Sequence, residues 1–370
     1  MHRVIDWMYS NTDRRDEQLA LYLQKHYEQK HRTYHNLSHL ETMWRYITKN
    51  VPVEHWHQYV DAVWWHDLVY EPGATDNETR SAEAFVQYAK KHPSLLHTDA
   101  DTTVRLIMST KDPHAAYTSG DELTVMFTKA DWNGMMDMHP DEDEYGVEKH
   151  WLDEWERGIF LENQRFDIET YLVNRRRFII DSRDKGLVTC RAAEHALCNL
   201  RRTYRIGVMA GSFCPFHKGH MQIYEQACEM FDKVVIACCR NPAKPDRKSD
   251  VREVLPYVEV IEHDGQVVDL LHKMAFSHDT NGWRVQSVLV RGIRDDFDRA
   301  YEDKYVRTLR DQVKLRNAMY RGWDMFPIVH FLCKPDYSHV SSTLVNGLLP
   351  EDQVMYTPMP YKAPKLEINW

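Results

Sequence analysis

Cysteine is scarce and unpatterned in this chain. Its 370 residues hold seven cysteines, an odd number, and none forms a C-x-x-C pair. Cys238 and Cys239 are adjacent inside an apolar run and read as core residues. A disulfide framework and a structural zinc cluster are thereby excluded, and a reducing compartment is expected. Long apolar runs are missing as well. Nothing approaches the roughly 18 apolar residues of a membrane span, and the start Met1-His2-Arg3-Val4-Ile5-Asp6 has no signal core. A cytoplasmic protein with no membrane partner is expected. Positive charge is in deficit, with 47 Lys and Arg against 56 Asp and Glu, a formal net charge of -9. That balance argues against nucleic acid as a partner. The basic runs Arg175-Arg176-Arg177 and Arg201-Arg202 are local and read as solvated helix faces. There is no internal repeat and no Gly/Ser-rich linker.

What is present divides in two. Up to about Arg202 the sequence reads as helix after helix, with apolar residues three and four apart in Glu54–Tyr70, Asn77–Lys91 and Trp151–Phe160. Strand signals there are nearly absent. After Tyr204, β-rich runs appear at Ile206–Ala210, Val234–Cys239, Val258–Ile261, Val285–Val290 and Pro327–Cys333. Helical stretches at His220–Met230, Val267–Phe276 and Arg299–Met319 separate them. Strands alternating with helices imply a parallel sheet with crossovers. The expected architecture is an all-α domain over 1–202, an α/β domain over 203–350, and a Pro-rich tail over 351–370. The tail is expected to be either an extended strap or disordered.

The densest chemistry lies where the grammar changes. Arg205–Ala210 reads as a strand, Gly211-Ser212 as a turn, and Phe213-Cys214-Pro215-Phe216-His217-Lys218-Gly219-His220 as the start of a helix. A small residue lets the backbone approach an anion, and a helix start offers free N–H groups, so this is a phosphate cradle. His217 and His220 are three apart and share a turn. The stretch resembles the G-[ST]-F-x-P-x-[HT]-x-G-H signature of the nucleotidyltransferase superfamily, whose fold is Rossmann-like. The resemblance implies that these histidines, His217 and His220, act on a triphosphate during nucleotidyl transfer, with Mg2+ entering alongside ATP.

Three further clusters follow strand ends, where open α/β sheets bind ligands. They are Arg240-Asn241-Pro242-Ala243-Lys244, the run from Arg291-Gly292-Ile293-Arg294 to Tyr301-Glu302, and Ser341-Ser342-Thr343-Leu344-Val345. Taken in order, the blocks resemble the phosphopantetheine adenylyltransferase family from about Tyr204 to Leu349. The resemblance implies that Gly211, Ser212, Phe213, His220, Gly292, Arg294, Glu302, Ser341, Ser342 and Thr343 hold ATP. It implies that Lys244 and Arg291, with Ser212, Gly265 and Val267, hold a phosphorylated acceptor. The best match to that acceptor is 4′-phosphopantetheine, and nicotinamide mononucleotide is the alternative. Four departures stand out. Cys214 replaces the usual Asp, Asn346 a usual Arg or Lys, and Gln312–Met325 is extra. His263-Asp264-Gly265-Gln266 replaces the usual apolar wall, so a more polar acceptor pocket is expected.

In the helical half the pair His66-Asp67 gains meaning from its context. Tyr34-His35-Asn36-Leu37-Ser38-His39 lies upstream. Asn77-Glu78-Thr79-Arg80, Thr110-Lys111-Asp112-Pro113-His114 and Ala130-Asp131-Trp132 lie downstream. From about Arg14 to Arg202 this order resembles the HD superfamily of helical, metal-dependent phosphohydrolases. The resemblance implies that His35, His66, Asp67 and Asp131 ligate a divalent metal, and that His114 and Lys111 meet the substrate or a second metal. Imidazole with carboxylate suits Mn, Fe, Co, Ni or Zn. The expectation is therefore a bifunctional enzyme, homo-oligomeric, with an HD bundle before a Rossmann-like adenylyltransferase. Its rival is a transferase whose helical domain is a non-catalytic scaffold.

Overall fold

The structure is a computed structural model and describes residues 14–132, 145–240, 249–278, 280–315 and 326–363. It divides into two compact units. One comprises 1–163, 171–199 and 363–370, and the other 164–170 and 200–362. Among the described residues no helix is long and apolar enough to cross a membrane.

The first unit is helical. Its elements are α1 (Arg14–Tyr27), α2 (Leu37–Asn50), α3 (His57–Trp65), α4 (Asn77–Lys91), α5 (Ala100–Ser109), α6 (Pro113–Tyr117), α7 (Glu122–Asp131), α8 (Tyr145–Glu162), α9 (Ile168–Asp184) and α10 (Cys190–Leu200). Helix α2 shows how the sequence sets such an element. Asn36 caps it, its side chain accepting from Ser38 N at 2.8 Å. Leu37, Leu40, Met43 and Ile47 then recur at helical spacing and are all buried. Helix α3 buries nearly every residue from Tyr59 to Trp65, so it runs through the middle of the core. Trp65, Phe85, Phe127, Leu106 and Tyr27 close that core. Burial of each such side chain is worth roughly 1.5–3 kcal/mol. The expected helix over 54–70 is shorter than its apolar pattern. It stops at Trp65, which leaves His66 and Asp67 at its carboxyl end.

The second unit is a sheet with helices around it. Its strands are β1 (Thr203–Gly211), β2 (Lys233–Cys239), β3 (Glu259–His263), β4 (Phe276–His278), β5 (Trp283–Ile293) and β6 (Ile328–Leu332). The order is β3-β2-β1-β5-β4, with β6 also paired to β5. Strand β1 is central, parallel to β2 on one side and to β5 on the other. Its residues Ile206, Val208, Met209 and Ala210 are buried, as a strand covered on both faces requires. The helices are α11 (Lys218–Met230), α12 (Val251–Val254), α13 (Val267–Met274), α14 (Asp296–Leu315), α15 (Ser342–Asn346) and α16 (Pro350–Gln353). One strand was not legible. Phe276–His278 pairs antiparallel with β5, from Phe276 opposite Val285 to His278 opposite Trp283. Three residues directly after a helix carry no period of their own, and the helical pattern absorbs them. The sheet is therefore mixed and mainly parallel, consistent with a Rossmann-like domain.

Two ties hold the margins of this unit. Lys233 is buried. Its Nζ donates to Gln164 O and Phe166 O and faces Glu259 Oε2 at 3.1 Å. After α16 the chain is held by its backbone, Lys218 N donating to Tyr356 O at 2.7 Å and Tyr361 N to Glu253 O at 2.9 Å.

Candidate functional site

In the α/β unit the register brings Gly211, Cys238 and Cys239, His263, and Ile293 with Leu332 to one end of the sheet. A cavity of about 310 Å³ opens there. Its wall includes Gly211, Phe213, His217, Gly219, His220, Arg291, Gly292, Arg294, Asp298, Tyr301, Glu302, Ser341 and Ser342.

The histidines are built into the start of α11. His217 is the N-cap. Its Nδ1 accepts from His220 N, and His220 Nδ1 accepts from His217 N, both at 3.3 Å. A backbone N–H can only donate, so both Nδ1 atoms carry lone pairs and both Nε2 atoms carry the proton. The rings stack at 3.5 Å with 20° between planes. Gly219 makes room, since a Cβ there would stand 3.1 Å from His217 Nδ1. Burial, with Arg294 nearby, pushes the His217 imidazole down to about 4. Burial, then His217, Arg294 and Arg291, holds His220 well below the usual range. Both rings therefore offer neutral N–H donors at neutral pH. The turn before them is strained: Phe213 has a φ of 46°, rare for a bulky residue.

The cationic side is pre-paired. Arg291 binds Glu302 through two bonds of 2.8 and 2.6 Å and donates to Ala210 O at 2.8 Å. Arg294 grips Asp298 with bonds of 2.6 and 2.8 Å. Ser341 caps α15, accepting from Leu344 N at 3.1 Å. Asn346, where a cation was expected by resemblance, donates to Cys214 O at 2.9 Å and so ties α15 to the phosphate turn.

Other expected residues lie differently. Ser212 and Thr343 are exposed and are not part of the cavity wall. Gly265 and Val267 are not part of it either; the His263 ring folds over that segment, with Nε2 donating to Gln266 O at 2.9 Å. Lys244 and residues 316–325 of the insert lie outside the described residues. Asp298 and Tyr301 belong to the wall although the resemblance assigned them nothing. Asp298 is four residues from both Arg294 and Glu302, and Tyr301 is three from Asp298; that spacing was the available signal.

In the helical unit four side chains converge. His39 Nε2 is 3.2 Å from Asp131 Oδ1 and 3.8 Å from Asp67 Oδ2. His66 Nε2 is 3.1 Å from Asp67 Oδ2 and 3.6 Å from Asp131 Oδ1. The ligand atoms of His39, His66 and Asp67 all lie within 4.8 Å of one another. His66 Nδ1 faces Val63 O at 3.0 Å, and a carbonyl only accepts, so Nδ1 holds a proton. That leaves a buried Nε2, without a hydrogen bond, aimed at two carboxylates. Lone pairs facing one another need a cation between them, and this donor set suits a divalent metal. A proton can serve as that cation: burial opposes a charge on His66, but Asp67 outweighs it and raises the imidazole to about 9, so a metal would bind there by displacing the Nε2 proton. Burial likewise opposes ionisation of Asp67, and His66 and His35 overcome it, holding the carboxyl far down.

The cluster thus contains His66, Asp67 and Asp131 together with His39. His35 stands beside it, with ring centroids 5.8 Å from His39. Its Nδ1 donates to Glu162 Oε2 at 2.7 Å. Glu162 is fully buried and also accepts from Tyr34 N, His35 N and Tyr70 OH at 2.8 Å each. Helical register could have singled out His39, which shares the buried face of α2 with Met43 and Ile47, whereas His35 precedes the cap. Glu162 lies 127 residues from His35 and gave no signal. Lys111 lines the cavity next to the cluster, and His114 does not.

Comparison with known proteins defines the class of the second unit first. Residues 208–347 match the cytidylyltransferase-like family, so the C-terminal region carries a domain of that kind. Proteins similar to it are phosphopantetheine adenylyltransferases. That of Limosilactobacillus reuteri strain DSM 20016 is 29% identical over 150 residues, covering 38% of this chain and 75% of the relative. That of Carboxydothermus hydrogenoformans is 28% identical over 166 residues, covering 40% of this chain and 90% of the relative. One from Streptococcus pneumoniae strain Taiwan19F-14 is 28% identical over 169 residues, covering 42% and 90%.

Proposed function

We propose that the α/β unit transfers the adenylyl group of ATP to 4′-phosphopantetheine, giving dephospho-coenzyme A and pyrophosphate. The stacked, reciprocally capped pair His217–His220 on the cavity wall carries the reading. An acceptor phosphate oxygen attacks the α-phosphorus, and the bond to the β-phosphate oxygen breaks. Negative charge grows on the phosphoryl oxygens, where two Nε2–H donors and the guanidinium of Arg294 are available. Neutral donors need no proton transfer to act, and none of these groups serves as a covalent nucleophile. Magnesium bound to ATP supplies charge neutralisation. Purified protein with ATP and a panel of acceptors, read by pyrophosphate release, tests the reading. Turnover with 4′-phosphopantetheine is expected. Strong turnover with nicotinamide mononucleotide and none with phosphopantetheine replaces the acceptor but keeps the class.

The helical unit is read as a metal-dependent phosphohydrolase, on the strength of the His39, His66, Asp67 and Asp131 cluster. His39, His66, Asp67 and Asp131 would hold a divalent ion, which would supply Lewis-acid chemistry for water activation and phosphoryl polarisation. Glu162 fixes His35 and Tyr70 in the adjoining wall, and Lys111 offers charge to a phosphate. Metal analysis of the purified chain, with phosphate release from simple esters, tests this. Bound metal without phosphate release would leave the unit a scaffold.

A further inference from the structure

The turn between β1 and α11 carries Phe213 in the left-handed region, and such a conformation persists only where its surroundings over-determine it. On one flank Asn346 grips Cys214 O. The other flank is held by Asp250, which is not part of the cavity wall. Asp250 stands at the N-cap of α12, where an aspartate ordinarily accepts from the first N–H groups of its own helix. Here the side chain makes no such bond. Its Oδ1 accepts instead from Phe216 N at 2.8 Å, 34 residues upstream. Phe216 is fully buried, so its N–H has no water to turn to. A carboxylate accepting from a backbone N–H is also roughly twice as strong a partner as a neutral oxygen. Helix α12 is firmly seated beneath it. Val251 and Val254 belong to the same core cluster as Phe213, Phe216 and Ile223. Arg252 ties α12 to β3, donating to Val260 O at 2.6 Å.

Phe216 directly precedes His217, whose N–H is one half of the reciprocal cap with His220. Asp250 thus fixes the chain one residue ahead of the imidazole pair. We propose that Asp250 is a positioning residue for adenylyl transfer: by holding Phe216 N it sets where the Nε2–H groups of His217 and His220 point. The proposal rests on the transfer reading and adds to it a residue outside the cavity. Asp250 acts as a hydrogen-bond acceptor and not through its charge. The charged groups that bear on the two imidazoles are Arg294 for both and Arg291 for His220.

Two substitutions separate reach from charge. Asp250→Ser keeps a good cap for α12 but is too short to reach Phe216 N. Asp250→Asn keeps an oxygen at the same reach and drops the charge. Pyrophosphate release by the full chain is measured with ATP and 4′-phosphopantetheine. Asp250→Ser is expected to lower kcat by about 10- to 100-fold and to leave the acceptor KM within about twofold. Asp250→Asn should stay within about threefold of wild type. In Asp250→Ser the loosened imidazoles should return toward their ordinary range, so kcat against pH gains an inflection near 6.5 that wild type and Asp250→Asn lack. Should Asp250→Ser not fold, Asp250→Glu moves the acceptor by one methylene and should lower kcat at least about threefold. A folded Asp250→Ser within about threefold of wild type, or an Asp250→Asn as slow as Asp250→Ser, overturns the proposal. Wild type that releases no pyrophosphate with any acceptor ends the transfer reading. Nitrogen NMR of the histidine-labelled full chain then decides the positioning by itself, with the pair assigned by difference from His217→Asn. The pair should stay neutral between about pH 8 and 5.5 in wild type and titrate near 6.5 in Asp250→Ser. The same titration in both proteins overturns the proposal.

Discussion

His220 is expected to matter as a donor held in place. His220→Ala should lower the rate of adenylyl transfer by about 10² to 10³ while circular dichroism stays native. Its neutrality has a sign in pH. His217 titrates near 4 when folded and near 6.5 when free, so the unfolded chain binds the extra proton between those values. Its contribution to stability is complete above about 6.5 and is lost as pH falls toward 4. Acid melts of wild type and His217→Asn should diverge in that window. The pH–rate profile should show no histidine inflection near neutrality. Arg32 is a second residue with a defined task. It donates to Asp67 O at 2.6 Å and Leu68 O at 2.7 Å, between the rings of Tyr27 and Tyr70. Arg32→Met strands two carbonyls at about 1–3 kcal/mol each. Metal titration should show about 10- to 100-fold weaker binding, because Asp67 loses its backing. Arg32→Lys should not rescue it, since an ammonium cannot reproduce the fork. These residues differ in how readable they were. The His217–His220 pair stood inside a motif with local spacing. Arg32 and Glu162 act across the fold, and nothing in their neighbourhoods announced it.

Helices and strands were legible where one period ran uninterrupted. Asn77–Lys91 is a helix over the very residues whose spacing announced it. The apolar runs fell within the central strands, each of which is longer than its run. Where two elements abut, as at Met274–Phe276, pattern alone could not part them. The start of α11 is the element most exposed to a small change. Gly219→Ala puts a methyl group 3.1 Å from His217 Nδ1. The imidazole pair should be pushed off its stack, and transfer should slow with little change in melting temperature. Strand β2 is sensitive at its entry instead. Lys233→Met leaves Glu259 without its partner and removes donors from two carbonyls of 164–166. Breaking a buried pair on one side costs about 3 kcal/mol or more, readable as a fall in denaturant midpoint.

At the scale of the whole chain the two chemistries should be separable. Asp67→Asn is expected to end phosphate release and leave pyrophosphate release near wild type, and His220→Ala to do the reverse. Chelation followed by added magnesium should restore transfer alone. Loss of both activities in either variant would mean that the units depend on each other. The pairing of Arg291 with Glu302 and of Arg294 with Asp298 has a consequence for how nucleotide is collected from solution. Two guanidinium groups are matched by two carboxylates, and the imidazoles are neutral, so among the described residues the cavity wall carries no net charge. Such a wall casts little long-range field, and bare ATP gains no attraction on approach. Capture should therefore proceed at an unsteered rate that hardly responds to ionic strength, and the species captured should be the magnesium complex, whose own charge is already reduced.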